Sequence, residues 1–152
     1  MGFVGFFLAG LSGCQHPGYL SADEPCKGPN LKMVQQAAAD ARDQEFVVSG
    51  IDGGGPRGGP QKCRLHGTIN LQLTIPGEKA LAHLQVPFNA TVGGGLGPMV
   101  VTVRWSNWCL PDRHGALAYQ FRTDDSGSDS ALSLTEFPEC RRPGSPTTLR
   151  RI

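Results

Sequence analysis

The stretch that most constrains this chain is Met99–Cys109, MVVTVRWSNWC, a β-branched run that closes on two tryptophans and a cysteine. Its centre is too short and too rich in valine and threonine to read as a helix. Met99, Val101, Val103 and Trp105 alternate onto one face, and Val100, Thr102 and Arg104 take the other. The stretch is predicted to be a strand filling the middle of a β-sandwich core, with Cys109 stapling its end.

The length suits one ordinary domain. Charged residues make up only 18% of the chain and the net charge is +1, so there is no broad basic field to draw nucleic acid or an anionic bilayer. Gly 21 and Pro 12 are high counts that suit turns between short strands better than helix interiors. The cysteines are Cys14, Cys26, Cys63, Cys109 and Cys140. None shows C-x-x-C spacing and the histidines (His16, His66, His83, His114) are scattered, so neither a metal site nor a cofactor is indicated. Wide spacing of this kind points to disulfides formed in an oxidising compartment.

Gly2–Leu11, GFVGFFLAGL, is apolar and uncharged, too short to span a bilayer but long enough for the apolar core of a secretion signal. It leads into Leu11-Ser12-Gly13-Cys14, which resembles a bacterial lipobox: an aliphatic residue, two small residues, then the cysteine that takes the lipid. No Lys or Arg precedes the run. The expectation is a signal segment over 1–13, lipidation at Cys14, a tether over 14–25 and a globular domain over 26–152. A plain secretion signal and a buried amino-terminal strand are the alternatives. With Cys14 lipidated, four cysteines remain, for which sequence alone allows three pairings, as for any four.

Leu31–Val34 reads as a first strand. Gln35–Glu45, QQAAADARDQE, allows one or two helical turns or an exposed connection. Phe46–Ile51 is a strand. Asp52–Pro60, DGGGPRGGP, matches G-x-G-x-x-G literally, but Pro56 and Pro60 interrupt it and no helix pattern follows, so it is a loop and not a dinucleotide site. Ile69–Ile75 alternates cleanly, as in an antiparallel sheet with one wet face. Pro76-Gly77 turns it, and Leu81–Val86 returns with Leu84 and Val86 inward. Asn89-Ala90-Thr91 matches a glycosylation sequon, without meaning in a bacterial lipoprotein. Gly93–Pro98 is a loop.

Beyond Cys109, Leu117, Tyr119 and Phe121 point inward. Asp124–Asp129 lacks the acidic spacing of a calcium loop and reads as a hairpin tip. Leu132 and Leu134 lie on the last strand. The tail Arg141–Arg151, with Arg141, Arg142, Arg150 and Arg151, reads as a solvated terminus, with a weak anionic contact as the alternative. Short strands and frequent turns predict an all-β, Ig-like antiparallel sandwich of about seven or eight strands.

Cys63-x-Leu65-x-Gly67, Trp105-Ser106-Asn107-Trp108-Cys109, Pro138-x-Cys140 and Pro143–Leu149 together resemble the domain-of-unknown-function 4232 family, across roughly Cys26 to Leu149. Leu110-Pro111 stands where many members carry a glycine. The resemblance implies a secreted or lipid-anchored envelope protein of high-GC Gram-positive bacteria. It brings no catalytic residues, and it implies the pairs Cys26–Cys63 and Cys109–Cys140, each joining segments that bound neighbouring strands.

The function expected is a non-enzymatic binding or structural module, held to the membrane through Cys14 and facing the cell wall or an envelope protein, with no nucleic-acid partner. Asp52–Pro60, Gly93–Pro98 and Asp124–Asp129 are its available loops. Trp108 and Tyr119 are the candidate ligand contacts. By strict alternation Trp108 faces away from Trp105 and could anchor a ligand; alternatively a bulge turns it inward as packing. A subunit role in an envelope complex is the second reading. A hydrolase is disfavoured, since the chain has no G-x-S-x-G, no metal-ligand cluster and no obvious base.

Overall fold

A computed structural model describes residues 24–152 apart from 28, 52–61, 78, 112 and 125. The described residues form strands and no helix: β1 (Asn30–Ala37), β2 (Gln44–Ile51), β3 (Cys63–Thr74), β4 (Ala82–Val92), β5 (Met99–Ser106), β6 (Ala116–Thr123), β7 (Gly127–Ser133) and β8 (Thr148–Arg151). One sheet runs β1-β2-β5-β8 and the other β4-β3-β6-β7. All pairings between these strands are antiparallel. The orders follow the Ig sandwich, in which the first, second and fifth strands share a sheet opposite the third and sixth. Here the place beside the fifth strand is taken by the C-terminal β8.

Alternation does most of this. In β5, Met99, Val101, Val103 and Trp105 are buried while Val100, Thr102, Arg104 and Ser106 turn outward. In β3 the inward set is Cys63, Leu65, Ile69, Leu71 and Leu73. Val86, Phe88 and Val92 of β4 and Leu117 and Phe121 of β6 complete that sheet's inner face. Gly67 sits between Leu65 and Ile69 on the inward parity. A Cβ there would run into the Arg122 carbonyl oxygen and the Phe88 ring, so the glycine of the C-x-L-x-G element lets two strands and an aromatic ring close on one point.

One end of the sandwich is filled by aromatic rings. Phe46 stacks on Trp105 at 5.5 Å between centroids, and Trp105 meets Phe137 edge-on at 5.5 Å. Pairs of this kind contribute about 0.5–1.5 kcal/mol each beyond the area they bury.

The pairs Cys26–Cys63 and Cys109–Cys140 are both formed. The strands bounded by the first pair, β1 and β3, are not neighbours in a sheet. Cys26 precedes β1, whose sheet lies across the core from that of Cys63. The chain at Glu24–Cys26 lies parallel to the start of β3, through Cys26 N–H to the Arg64 carbonyl (3.0 Å) and Arg64 N–H to the Glu24 carbonyl (2.7 Å). That edge is open because β6 pairs with β3 only from Gly67 onward. The second bridge ties the end of β5 to the connection between β7 and β8.

Two local expectations are corrected. Gln35–Glu45 makes no helical turn. β1 continues to Ala37, a turn covers 38–43, and β2 begins at Gln44. Helix propensity in QQAAA is outweighed by a full ladder from Asn30↔Ile51 to Ala37↔Gln44. The tail is not a solvated terminus either. β8 pairs with β5 from Val103↔Arg151 to Ser106↔Thr148, and Leu149 packs on the core opposite Trp105. The signal segment, Cys14, most of the tether and the loop Asp52–Pro60 lie outside the described residues.

Replacing Cys109 and Cys140 together with serine should cost about 3–4 kcal/mol, the closure entropy of a loop of this length. Urea unfolding of the oxidised protein and the variant measures it. A loss below about 1 kcal/mol, or a mapped Cys26–Cys109 peptide, contradicts the pairing.

Candidate functional site

β5 ends at Ser106, and the residue after it organises the C-terminal part of the chain. Asn107 has φ 63°, the left-handed region that asparagine tolerates better than other residues with a Cβ. The residue is 9% exposed, and both polar atoms of its side-chain amide are hydrogen-bonded. Oδ1 accepts the backbone N–H of Arg141 (3.0 Å) and Arg142 (2.9 Å). Nδ2 donates to the carbonyls of Ser145 (3.0 Å), Arg142 (3.3 Å) and Pro146 (3.3 Å). The Asn107 carbonyl accepts the Thr147 hydroxyl at 3.0 Å. One residue, through its side chain and its own carbonyl, thus holds the 141–147 connection in the shape that delivers β8 to β5.

The left-handed residue also breaks strand parity. Trp108, expected to face away from Trp105, is only 3% exposed. Its ring lies edge-on to Trp105 at 5.4 Å and against Phe137 at 5.1 Å. It is core, so the structure does not present it as a ligand contact; a single positive φ, not a bulge, turns it inward. Tyr119 is half-buried and tilted on Phe121 at 5.2 Å.

Neither aromatic residue lines the groove that the C-terminal connection creates. That groove has a volume of about 680 Å³ and is lined by Ser106, Asn107, Arg141, Arg142, Ser145, Pro146, Thr148, Leu149 and Arg150. Its residues come from β5, β8 and the connection, which converge only because Asn107 gathers them. The arginine-rich tail was the one trace of it in the sequence.

Next to the groove the β1–β2 turn docks on the same connection. Arg141 donates to Asp40 Oδ2 (3.0 Å) and to Asp43 Oδ1 (2.9 Å), and the Asp43 side chain is buried. Arg42 grips Asp40 through Nε (3.0 Å) and its second guanidinium nitrogen (3.1 Å), and Glu139 N–H reaches the Arg42 carbonyl at 3.0 Å. Gln35 fastens the chain leaving β7, accepting Thr135 N–H (3.1 Å) and donating to the Glu136 carbonyl (2.7 Å). The side-chain hydrogen bond from Arg42, then its backbone N–H, then the charge of Arg141 lower the Asp40 carboxyl to about 2.

Elsewhere, His66 Nδ1 and Asp124 Oδ1 stand 2.9 Å apart at the surface, with no described hydroxyl or thiol bonded to the other ring nitrogen. Nothing in that pair supports a base-activated nucleophile. The outer face of the first sheet exposes Val34, Ile51 and Val100, and Ile152 beyond β8, each about half. Comparison with known proteins finds no matching family model, curated protein or solved structure, so the resemblance to the domain-of-unknown-function 4232 family rests on its motif residues alone.

Two outcomes are expected from this geometry. Asn107→Ala should lose roughly 2–4 kcal/mol, because it strands buried backbone groups and strains the left-handed position. Asn107→Gly, free of the strain, isolates the loss of the amide; equal stability of Asn107→Gly and the parent in urea contradicts the role. The second outcome concerns acid. A carboxyl lowered in the folded state contributes stability above its unfolded value of 3.8 and loses it as pH falls toward about 2. Between pH 4 and pH 2 the melting temperature of Asp40→Asn should therefore fall less steeply than that of the parent, and parallel curves contradict the assignment.

Proposed function

We propose that this chain is an extracytoplasmic, membrane-tethered binding module of the bacterial envelope, without catalytic activity, that engages its ligand at the groove between β5, β8 and the 141–147 connection. The observation that carries the location is the pairing of Cys26 with Cys63 and Cys109 with Cys140. Disulfides of this kind persist outside the reducing cytosol, and the fifth cysteine of the sequence, Cys14, stands at the lipobox-like position outside these two pairs. The groove supplies what a binding module needs, a concave surface of mixed polarity built on strands and closed by hydrogen bonds. Membership in the domain-of-unknown-function 4232 family is part of this reading and rests on the motif residues.

The exposed aliphatic face supports a second reading, a subunit of an envelope complex. Val34, Ile51 and Val100 stand exposed on β1, β2 and β5 of one sheet, with Lys32 and Ser49 between them, and exposed aliphatic side chains on one face favour protein contact.

Expression in an actinobacterial host with an alkyne fatty acid tests the tether. The parent should be labelled and sediment with membranes, whereas Cys14→Ala should be unlabelled and soluble. An unlabelled parent with free sulfhydryls in the cytosol overturns the location.

A further inference from the structure

We propose that the groove is an anion site whose ligand carries a phosphate ester. The inference rests on the binding-module reading for the groove, and not on the tether. Four arginines close the chain, and the fold sorts them. Arg141 is neutralised by Asp40 and Asp43. Arg151 reaches across to the Pro87 carbonyl at 3.0 Å. Arg142 and Arg150 have no carboxylate partner among the described residues, and both line the groove.

The groove is lined by cationic and hydroxyl-bearing side chains. The carbonyls of Arg142, Ser145 and Pro146 are turned inward and occupied by the Asn107 amide. Arg142, Arg150 and the hydroxyl-bearing residues Ser106, Ser145 and Thr148 are among its lining residues. A carboxylate has two oxygens to offer such a set, whereas a phosphate monoester has three unsubstituted oxygens, carries more than one negative charge near neutral pH, and accepts paired guanidinium N–H groups well.

Two further features agree. Register sets Arg150 directly opposite Arg104 on the neighbouring strand, and like charges so placed repel. Glu45 answers Arg104 at 3.1 Å, which leaves Arg150 to an outside anion. The volume of about 680 Å³ leaves room beside a phosphate for its esterified polyol or sugar, against the apolar Pro146 and Leu149.

The ester could arrive as a soluble molecule or as a phospholipid headgroup, and the test separates the two. The full chain, carrying Cys14→Ala to remove the lipid, is titrated with inorganic phosphate and with glycerol 3-phosphate, followed by backbone NMR. It is also sedimented with phosphatidylcholine vesicles with and without phosphatidic acid, the phospholipid whose headgroup is a monoester. Soluble esters should shift the amides of residues 142–150, and glycerol 3-phosphate should bind more tightly than inorganic phosphate. Binding to the anionic vesicles alone assigns the headgroup and also supports the site.

Arg142→Ala and Arg150→Ala should each weaken binding roughly tenfold, the loss of a charge-assisted hydrogen bond. Arg113→Ala, which removes an exposed arginine outside the groove, should leave binding unchanged. Melting curves show whether the groove variants stay folded, and Arg142→Lys and Arg150→Lys should retain part of the affinity. Absence of binding by all probes, or equal weakening by Arg113→Ala, overturns the assignment. Labelling of Cys14 decides the tether separately, so failure here removes the ligand class and leaves the location untouched.

Discussion

The amide of Asn107 is the interaction on which this sandwich depends. It sits where β5 must stop, in a backbone conformation open at little cost only to glycine, asparagine and aspartate. Glycine has no amide, and a carboxylate could not donate to the three carbonyls that Nδ2 faces. Only asparagine meets both demands. Its left-handed turn buries Trp108 against Trp105 and Phe137, and its two polar ends hold the connection that carries β8 back to β5. Core packing and strand order thus meet at one residue.

The Cys109–Cys140 bridge acts on the same place from the covalent side. It joins the residue two beyond Asn107 to the residue just before Arg141 and Arg142, whose N–H groups Asn107 accepts. Cross-linking cuts the number of loop conformations that must be given up for those bonds to form. Asp40, Asp43 and Gln35 add a third set of holds on the chain between β7 and β8. The crossing from one sheet to the other, a long connection without strand pairing of its own, is therefore pinned along its length. A surface shaped by so many bonds is already ordered, so the binding proposed for it meets little ordering cost.

Much of this fold was legible because side-chain period is a direct physical signal. The alternation in Met99–Trp105 and Ile69–Ile75 assigned inward faces correctly, since a half-buried strand has no other way to sort its residues. The disulfide pairs came from the motif resemblance; the residues alone left three connectivities open. What was not legible was non-local. Thr148–Arg151 carries too little pattern to announce a strand, and becomes one only because Asn107 sets it beside β5. Gln35–Ala37 has the composition of a helix and is a strand because β2 lies next to it. Trp108 looked available to a ligand by alternation, and the positive φ that turned it inward leaves no periodic trace. The groove was invisible for the same reason, its lining being brought together by tertiary bonds and announced only by the arginines of the tail.

Amide hydrogen exchange at Arg141 and Arg142 tests the central role of Asn107 most directly. Neither residue belongs to a strand, and among the described residues the side-chain Oδ1 of Asn107 is the acceptor that shields those two N–H groups. The account predicts protection close to that of the buried β5 amides, with the Asn107 side-chain protons slowed as well. Exchange at the rate of an open surface loop, while β5 remains protected, contradicts it.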